Sequence, residues 1–146
     1  MVMTNVLVTG SSRGIGKAIA VQLSKRGCTV IGHATSASNA ANVAADFADP
    51  PAPQMLWEEA LRRLGGRIDV LVNNAGLFEQ NPLHASDIEW LDRWEDTMRI
   101  NLTSAAQLSR FAVRHWQESG KGLVMTHDQG TVVFEGLGME DVAFIF

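Results

Sequence analysis

The sequence predicts an α/β fold with a doubly wound, mainly parallel sheet, and three observations carry that prediction. Short apolar runs alternate with helical stretches along the 146-residue chain, the order that βαβ units produce. Those runs, Val6-Leu7-Val8 and Val70-Leu71-Val72 among them, are continuous rather than alternating, as suits strands buried on both faces. A glycine cluster, Gly10-Ser11-Ser12-Arg13-Gly14-Ile15-Gly16, sits where the first strand must turn sharply into a helix.

Within that cluster Gly10 permits a tight turn. Gly14 and Gly16 lack the Cβ that would block a phosphate or a closely packed helix. A helix follows over 17–26, with Ile19, Ala20 and Leu23 spaced to face a sheet, and Gly27 closes it as a left-handed cap. Its first turn offers unpaired N–H groups and the positive end of the helix dipole, a site for pyrophosphate. A structural turn in some other α/β protein satisfies the same pattern. Thr29–His33 reads as the second strand, and Val43–Phe47, after a small polar stretch, as the third. The link between them is barely long enough for a crossover of ~10 residues, so at most a short helix fits. Asp49-Pro50-Pro51-Ala52-Pro53 opens the next helix, whose stripe is Leu56, Trp57, Ala60, Leu61 and Leu64. Gly65-Gly66 ends it, and Ile68–Val72 is the fourth strand.

Asn73-Asn74-Ala75-Gly76 follows that strand, at the edge where open α/β sheets bind ligands. Asparagines there can hold loop backbones, and on residue types alone a structural turn is the simpler reading. Ser86-Asp87-Ile88-Glu89 has the form of a capping box and opens one long helix, 87–118. Trp90, Trp94, Met98, Asn101, Ala105, Leu108, Ala112 and His115 recur at steps of three or four and share a face. Asn101 is the odd member, an amide on an apolar stripe. An unpaired buried amide costs about 1–3 kcal/mol, so a partner is expected, a neighbouring backbone included. His115 reads as a boundary residue near the helix end. His33, His84 and His127 have neither metal-ligand spacing nor a carboxylate pattern, and no metal site is expected.

Composition narrows the function classes. Hydrophobic residues make up 46% and charged ones 19%, a globular balance. The net charge of −4, with no basic stripe, argues against a nucleic-acid partner. The single cysteine, Cys28, suits a reducing compartment and reads as a small buried hydrophobe. The first strand begins close to Met1, and no apolar run approaches the ~18 residues of a membrane span. A cytoplasmic protein with no membrane association is the expectation.

Thr9-Gly10-Ser11-Ser12-Arg13-Gly14-Ile15-Gly16, Asn73-Asn74-Ala75-Gly76 and Asn101, in that order and spacing, resemble the short-chain dehydrogenase/reductase family from about Thr4 to about Gly122. The resemblance implies a Rossmann-type domain over 1–122 and a nicotinamide dinucleotide cofactor. It also implies hydride transfer with a small carbonyl or alcohol substrate. By position, Gly10, Ser12, Arg13, Gly14, Ile15 and Gly16 match the family's cofactor turn. Asp46 matches the acid that meets the adenine amino group, with Phe47 beside it. Asn74, Ala75 and Gly76 match the loop under the nicotinamide ribose, and Asn101 matches the catalytic asparagine. Where the family's NAD-selective acid would stand, the chain reads Ala34-Thr35-Ser36. With Thr35 there and Arg13 as a phosphate partner, NADP(H) is favoured over NAD(H).

The departures are as informative. The family relies on a serine, and on a tyrosine four residues before a lysine, whereas this sequence contains no tyrosine. Lys17, Lys25 and Lys121 do not fit the lysine's place. From about Leu123 the likeness stops. Leu123-Val124-Met125 suits a fifth strand, and 123–146 reads as a divergent tail, irregular or β-rich. In that tail His127–Gly130 suits a hairpin turn between apolar runs 131–134 and 142–146. The expectation is therefore a truncated, frame-shifted or fragmentary family member that binds dinucleotide weakly and does not turn over. Its uncovered apolar surfaces favour self-association, through the long helix 87–118 in a homo-oligomer. The competing expectation is a catalytically dead dinucleotide-binding or protein-interaction module that uses the same helix.

Overall fold

The computed structural model describes residues 3–36, 41–120 and 122–126. The hairpin expected at 127–130 and the apolar runs at 131–134 and 142–146 lie outside the described residues. The chain alternates strand and helix: β1 (Asn5–Val8), α1 (Gly14–Lys25), β2 (Thr29–Ala34), β3 (Asn42–Ala44), α2 (Ala52–Arg63) and β4 (Val70–Asn73). Then come α3 (Asp87–Met98), a π-helical segment Arg99–Thr103, α4 (Ser104–Ser119) and β5 (Leu123–Thr126). The five strands form one sheet in the order β3-β2-β1-β4-β5, and every pairing is parallel. In register, Val6 faces Val30 on one side and Val70 on the other, so β1 is the central strand.

On one face α2 and α4 pack against the sheet. Leu7, Leu56, Ala60, Leu71, Leu108 and Ala112 are fully enclosed there, with Trp57 and Trp116 beside them. On the other face α1 covers Val6, Val8 and Val72, lending only the partly buried Ile19, Ala20 and Leu23. The left-handed cap expected at Gly27 is present, with φ +85°. Ser86 and Glu89 form the expected capping box, each side chain bonding the other's backbone N–H.

Several boundaries differ from expectation for identifiable reasons. Helix α1 starts at Gly14 rather than Lys17, because the extended Arg13 caps it and its carbonyl accepts from Lys17 N–H at 3.2 Å. Strand β4 starts at Val70 rather than Ile68. The Ile68 carbonyl accepts from Trp116 Nε1 at 2.7 Å, and the Ile68 N–H donates to His115 Nε2 at 3.3 Å. Helix α4 thus occupies the backbone groups that would have extended the ladder. Strand β3 ends at Ala44 because the Ala45 carbonyl is taken by His33, and Asp46 turns back to accept from Ala48 N–H. The fifth strand expected at Leu123–Met125 is present as β5, one residue longer, paired with β4 from Leu123 to Thr126.

The single long helix is the main correction. A π-helical turn interrupts it, with Ser104 N–H reaching back five residues to the Arg99 carbonyl. The stripe read from the sequence therefore does not share one face. Leu108 and Ala112 are enclosed, whereas Trp94 is 49% exposed and α3 contributes no buried residue. Trp90 and Trp94 instead stack on each other, with ring centroids 5.6 Å apart. Asn101, expected on a buried stripe, is exposed within the π turn.

Candidate functional site

The carboxyl ends of β1 and β4 meet where the strand order reverses, since the chain leaves β1 towards β2 and returns on its other side as β4. That is the switch point at which open α/β sheets form a crevice. Gly10 opens the turn with φ +63°, and a Cβ on it would lie 2.8 Å from the Ala75 Cα. A Cβ on Gly16 would collide with the Gly10 carbonyl and the Asn74 amide. Both positions therefore require glycine, one for its dihedral and its neighbour and one for the close approach of helix to turn. The N–H groups of Gly14, Ile15 and Gly16 precede the first intrahelical bond and face the turn at the positive end of the helix dipole.

Hydrogen bonds fasten the two loops together. Asn74 Nδ2 donates to the carbonyls of Thr9 and Gly10, each at 3.1 Å. The Thr9 hydroxyl, almost wholly buried, accepts from the N–H groups of Asn74 at 3.0 Å and Ala75 at 2.9 Å. One threonine and one asparagine thus lock the β4 loop onto the glycine turn. Asn73 points the other way, its Nδ2 donating to Ser109 Oγ at 3.0 Å.

Asn101 reaches the same loop from the π turn. Its Oδ1 accepts from Leu77 N–H at 2.6 Å and its Nδ2 donates to the Leu77 carbonyl at 2.8 Å. A Cβ on Gly76 would lie 3.6 Å from that Oδ1. The partner expected for this amide is therefore the backbone of Leu77. Ser12, Arg13, Thr35 and Asp46 are all exposed around the crevice, while Phe47 is buried at the foot of the Asp46 loop.

The residue that sequence reasoning missed is His33. It is 3% exposed and stacks on Phe47 with ring centroids 4.2 Å apart. Its Nδ1 accepts from Gly10 N–H at 3.1 Å, and its Nε2 lies 2.7 Å from the Ala45 carbonyl. An acceptor Nδ1 leaves the proton on Nε2, which donates to Ala45. Burial pushes the imidazole below its ordinary value, opposed by the Ala45 bond and by Asp46. The available signal was a histidine in the middle of an apolar strand, which must find polar partners once buried. No cluster of potential metal ligands occurs among the described residues. No helix among them is long and apolar enough to cross a membrane.

The fold and this crevice define a Rossmann-type dinucleotide architecture. Residues 4–128 match the family model of the short chain dehydrogenases, and the chain belongs to that family. It is 38% identical over 138 residues to 3-oxoacyl-acyl-carrier-protein reductase FabG of Vibrio cholerae, covering 87% of this chain and 54% of that protein. Against the Escherichia coli FabG it is 37% identical over 132 residues, covering 82% and 52%. Versicolorin reductase stcU of Emericella nidulans is 31% identical over 141 residues, covering 86% and 52%. The chain thus spans about half the length of the curated relatives it matches. Among solved structures, an NADH-dependent reductase A1-R′ complexed with NAD superposes with a TM-score of 0.72 at 27% identity. That match covers 85% of this chain and 58% of the other.

Proposed function

We propose that this chain binds a nicotinamide dinucleotide across the switch point, as the cofactor half of a carbonyl or alcohol oxidoreductase. The observation that carries the reading is the glycine turn. It presents the Gly14, Ile15 and Gly16 N–H groups, and at Gly10 and Gly16 it has no room for a Cβ. That cradle fits a pyrophosphate, whose charge the N–H groups and helix dipole would hold. Asp46 stands where a carboxylate can accept from an adenine amino group, and Asn74, Ala75 and Gly76 form the floor of a ribose site. Asn101, held by the Leu77 backbone and close to Gly76, would border the nicotinamide end of that site. When bound, the dinucleotide supplies the hydride, and this chain supplies binding and orientation.

NADP(H) is favoured over NAD(H), because the exposed Thr35 and Ser36 follow β2 and no carboxylate stands there to repel a 2′-phosphate. Arg13, exposed at the N-cap of α1, is the phosphate's candidate partner. The test is thermal stabilisation of the purified chain by NADPH and NADH at pH 8. The expected result is stabilisation by both, larger for NADPH. Stabilisation by neither overturns the reading, and tighter binding of NADH reverses the preference. With no tyrosine in its sequence, the chain lacks the family's proton donor, and positioned proton transfer is worth ~10²–10⁴-fold. The 146-residue chain should therefore show no turnover above background with aldehydes or ketones, followed by absorbance of the reduced nicotinamide. The second reading, a binding module without catalysis, is favoured by that same absence of tyrosine.

A further inference from the structure

The His33 ring adds a titratable tie between two parts of the candidate cofactor site that β2 already borders. There the Ser11 N–H donates to the His33 carbonyl and the Ala45 N–H to the Ala34 carbonyl, each at 2.9 Å. One ring nitrogen holds Gly10, the first residue of the glycine turn, and the other holds Ala45, immediately before Asp46. Phe47 covers one face of the ring, and the Ser11 hydroxyl accepts from the His33 N–H at 2.9 Å. The Gly10 N–H points at an aromatic nitrogen lone pair, which exists only while Nδ1 is unprotonated. A proton there would set one N–H donor against another inside a buried site. Around the ring lie neutral groups, the Ser11 hydroxyl from the glycine turn and the Asn42 amide from β3 among them, and Asp46 is the charged group acting on it.

We infer that His33 is a positioning residue for dinucleotide binding, its neutral Nε2–H form tying the glycine turn to the Ala45–Phe47 segment. The inference rests on the proposed dinucleotide site and deepens it. While the tie holds, Gly10 keeps its left-handed turn against Ala75, and the pyrophosphate cradle and the Asp46 loop keep a fixed separation. Protonation at Nδ1 breaks the ring's bond to the Gly10 N–H and loosens the tie, leaving the turn held by Asn74 and by the Ser11–His33 backbone bond. Acid therefore weakens dinucleotide binding through a buried group that does not itself contact the ligand.

Two measurements on the full chain test this. In ligand-free protein, heteronuclear NMR of labelled histidine should show His33 as the Nε2–H tautomer at pH 8. The protection of the Gly10 amide against exchange, relative to its intrinsic rate at each pH, should fall as the ring titrates. An Nδ1–H tautomer, or a Gly10 amide indifferent to the ring's titration, overturns the inference. The second measurement is NADPH affinity from pH 8 to pH 5 for the parent and for His33→Gln, whose amide can accept and donate but does not titrate. The parent's affinity should fall up to about tenfold per pH unit below the ring's own titration. His33→Gln should bind more weakly at pH 8 and lose that part of the profile, while titration of the ligand's phosphate remains in both. Superimposable profiles overturn the inference. If NADPH fails to bind the parent at pH 8, the proposed function falls, and the His33 tie is still decided by the NMR arm.

Discussion

The two faces of the sheet are built to different standards. On one, α2 buries Ala52, Pro53, Leu56, Trp57 and Ala60, and α4 buries Leu108, Ala112 and Trp116. On the other, α1 buries only Gly16. Apolar packing therefore secures the first face, whereas polar bonds from Thr9, Asn74 and His33 fix the mouth of α1. The glycine turn and α1 belong to the weaker face, whereas Phe47 and Ala75 pack with the stronger one. A ligand turn is thus positioned by hydrogen bonds whose geometry is directional, while stability is generated on the opposite side by area that is not.

The largest expected contrast comes from truncating matched leucines. Leu71→Ala, in the fully enclosed cluster, should cost about 2–5 kcal/mol, read by denaturant unfolding. Leu23→Ala on α1, only partly buried, should cost about 1 kcal/mol. Equal losses would break the comparison between the faces. Next comes Gly16→Ala, which places a methyl against the Gly10 carbonyl and Asn74 amide. It should cost about 1–3 kcal/mol and weaken NADPH binding at least about tenfold, measured by titration.

A pH series sharpens the same contrast. The folded His33 titrates below its unfolded value of 6.5. The unfolded chain therefore binds the proton first as pH falls. Stability from the neutral ring is complete above pH 6.5 and is lost as pH drops towards the folded value. The thermal midpoint should decline over that window, and less so in His33→Gln. The smallest effect belongs to Glu59, which Arg62 and then Arg63 hold down to about 2 by hydrogen bonds on the solvent side of α2. Its contribution is present above the ordinary carboxylate value and fades as pH falls towards 2. Because water screens the group, Glu59→Gln should move the midpoint less than any of the other changes.

The legible parts of this molecule were those with local causes. Continuous apolar runs announced the parallel strands, Ser86 and Glu89 announced a helix start, and Gly10, Gly14 and Gly16 announced a strand-to-helix turn. What sequence could not supply was produced by tertiary competition for backbone groups. Ile68 is drawn out of β4 by Trp116 and His115, 48 and 47 residues away. Ala45 is drawn out of β3 by His33. Of the site, the glycine turn and the Asn74 loop were visible as residue types. Their fastening by the Thr9 hydroxyl and the His33 ring was not, because it depends on strand neighbours that only the β1–β2 and β1–β4 registers bring together.

The π turn at Arg99–Thr103 makes the long helix a rod with a slipped phase. One residue beyond an α-helical count rotates everything upstream by about 100° relative to everything downstream. The hydrophobic teeth of α3 and α4 therefore mesh with different surroundings: Leu108 and Ala112 with the sheet, and Ile88, Leu91 and Trp94 with the outside. In the arithmetic of insertions and deletions, the chain stands one residue away from an uninterrupted helix. Deleting a single residue within 99–103 would restore an unbroken α-helix and leave the two sets of teeth as far out of line as the π turn already sets them. The same stroke would carry Asn101 off the Leu77 backbone, so phase continuity and the placement of that amide exclude each other.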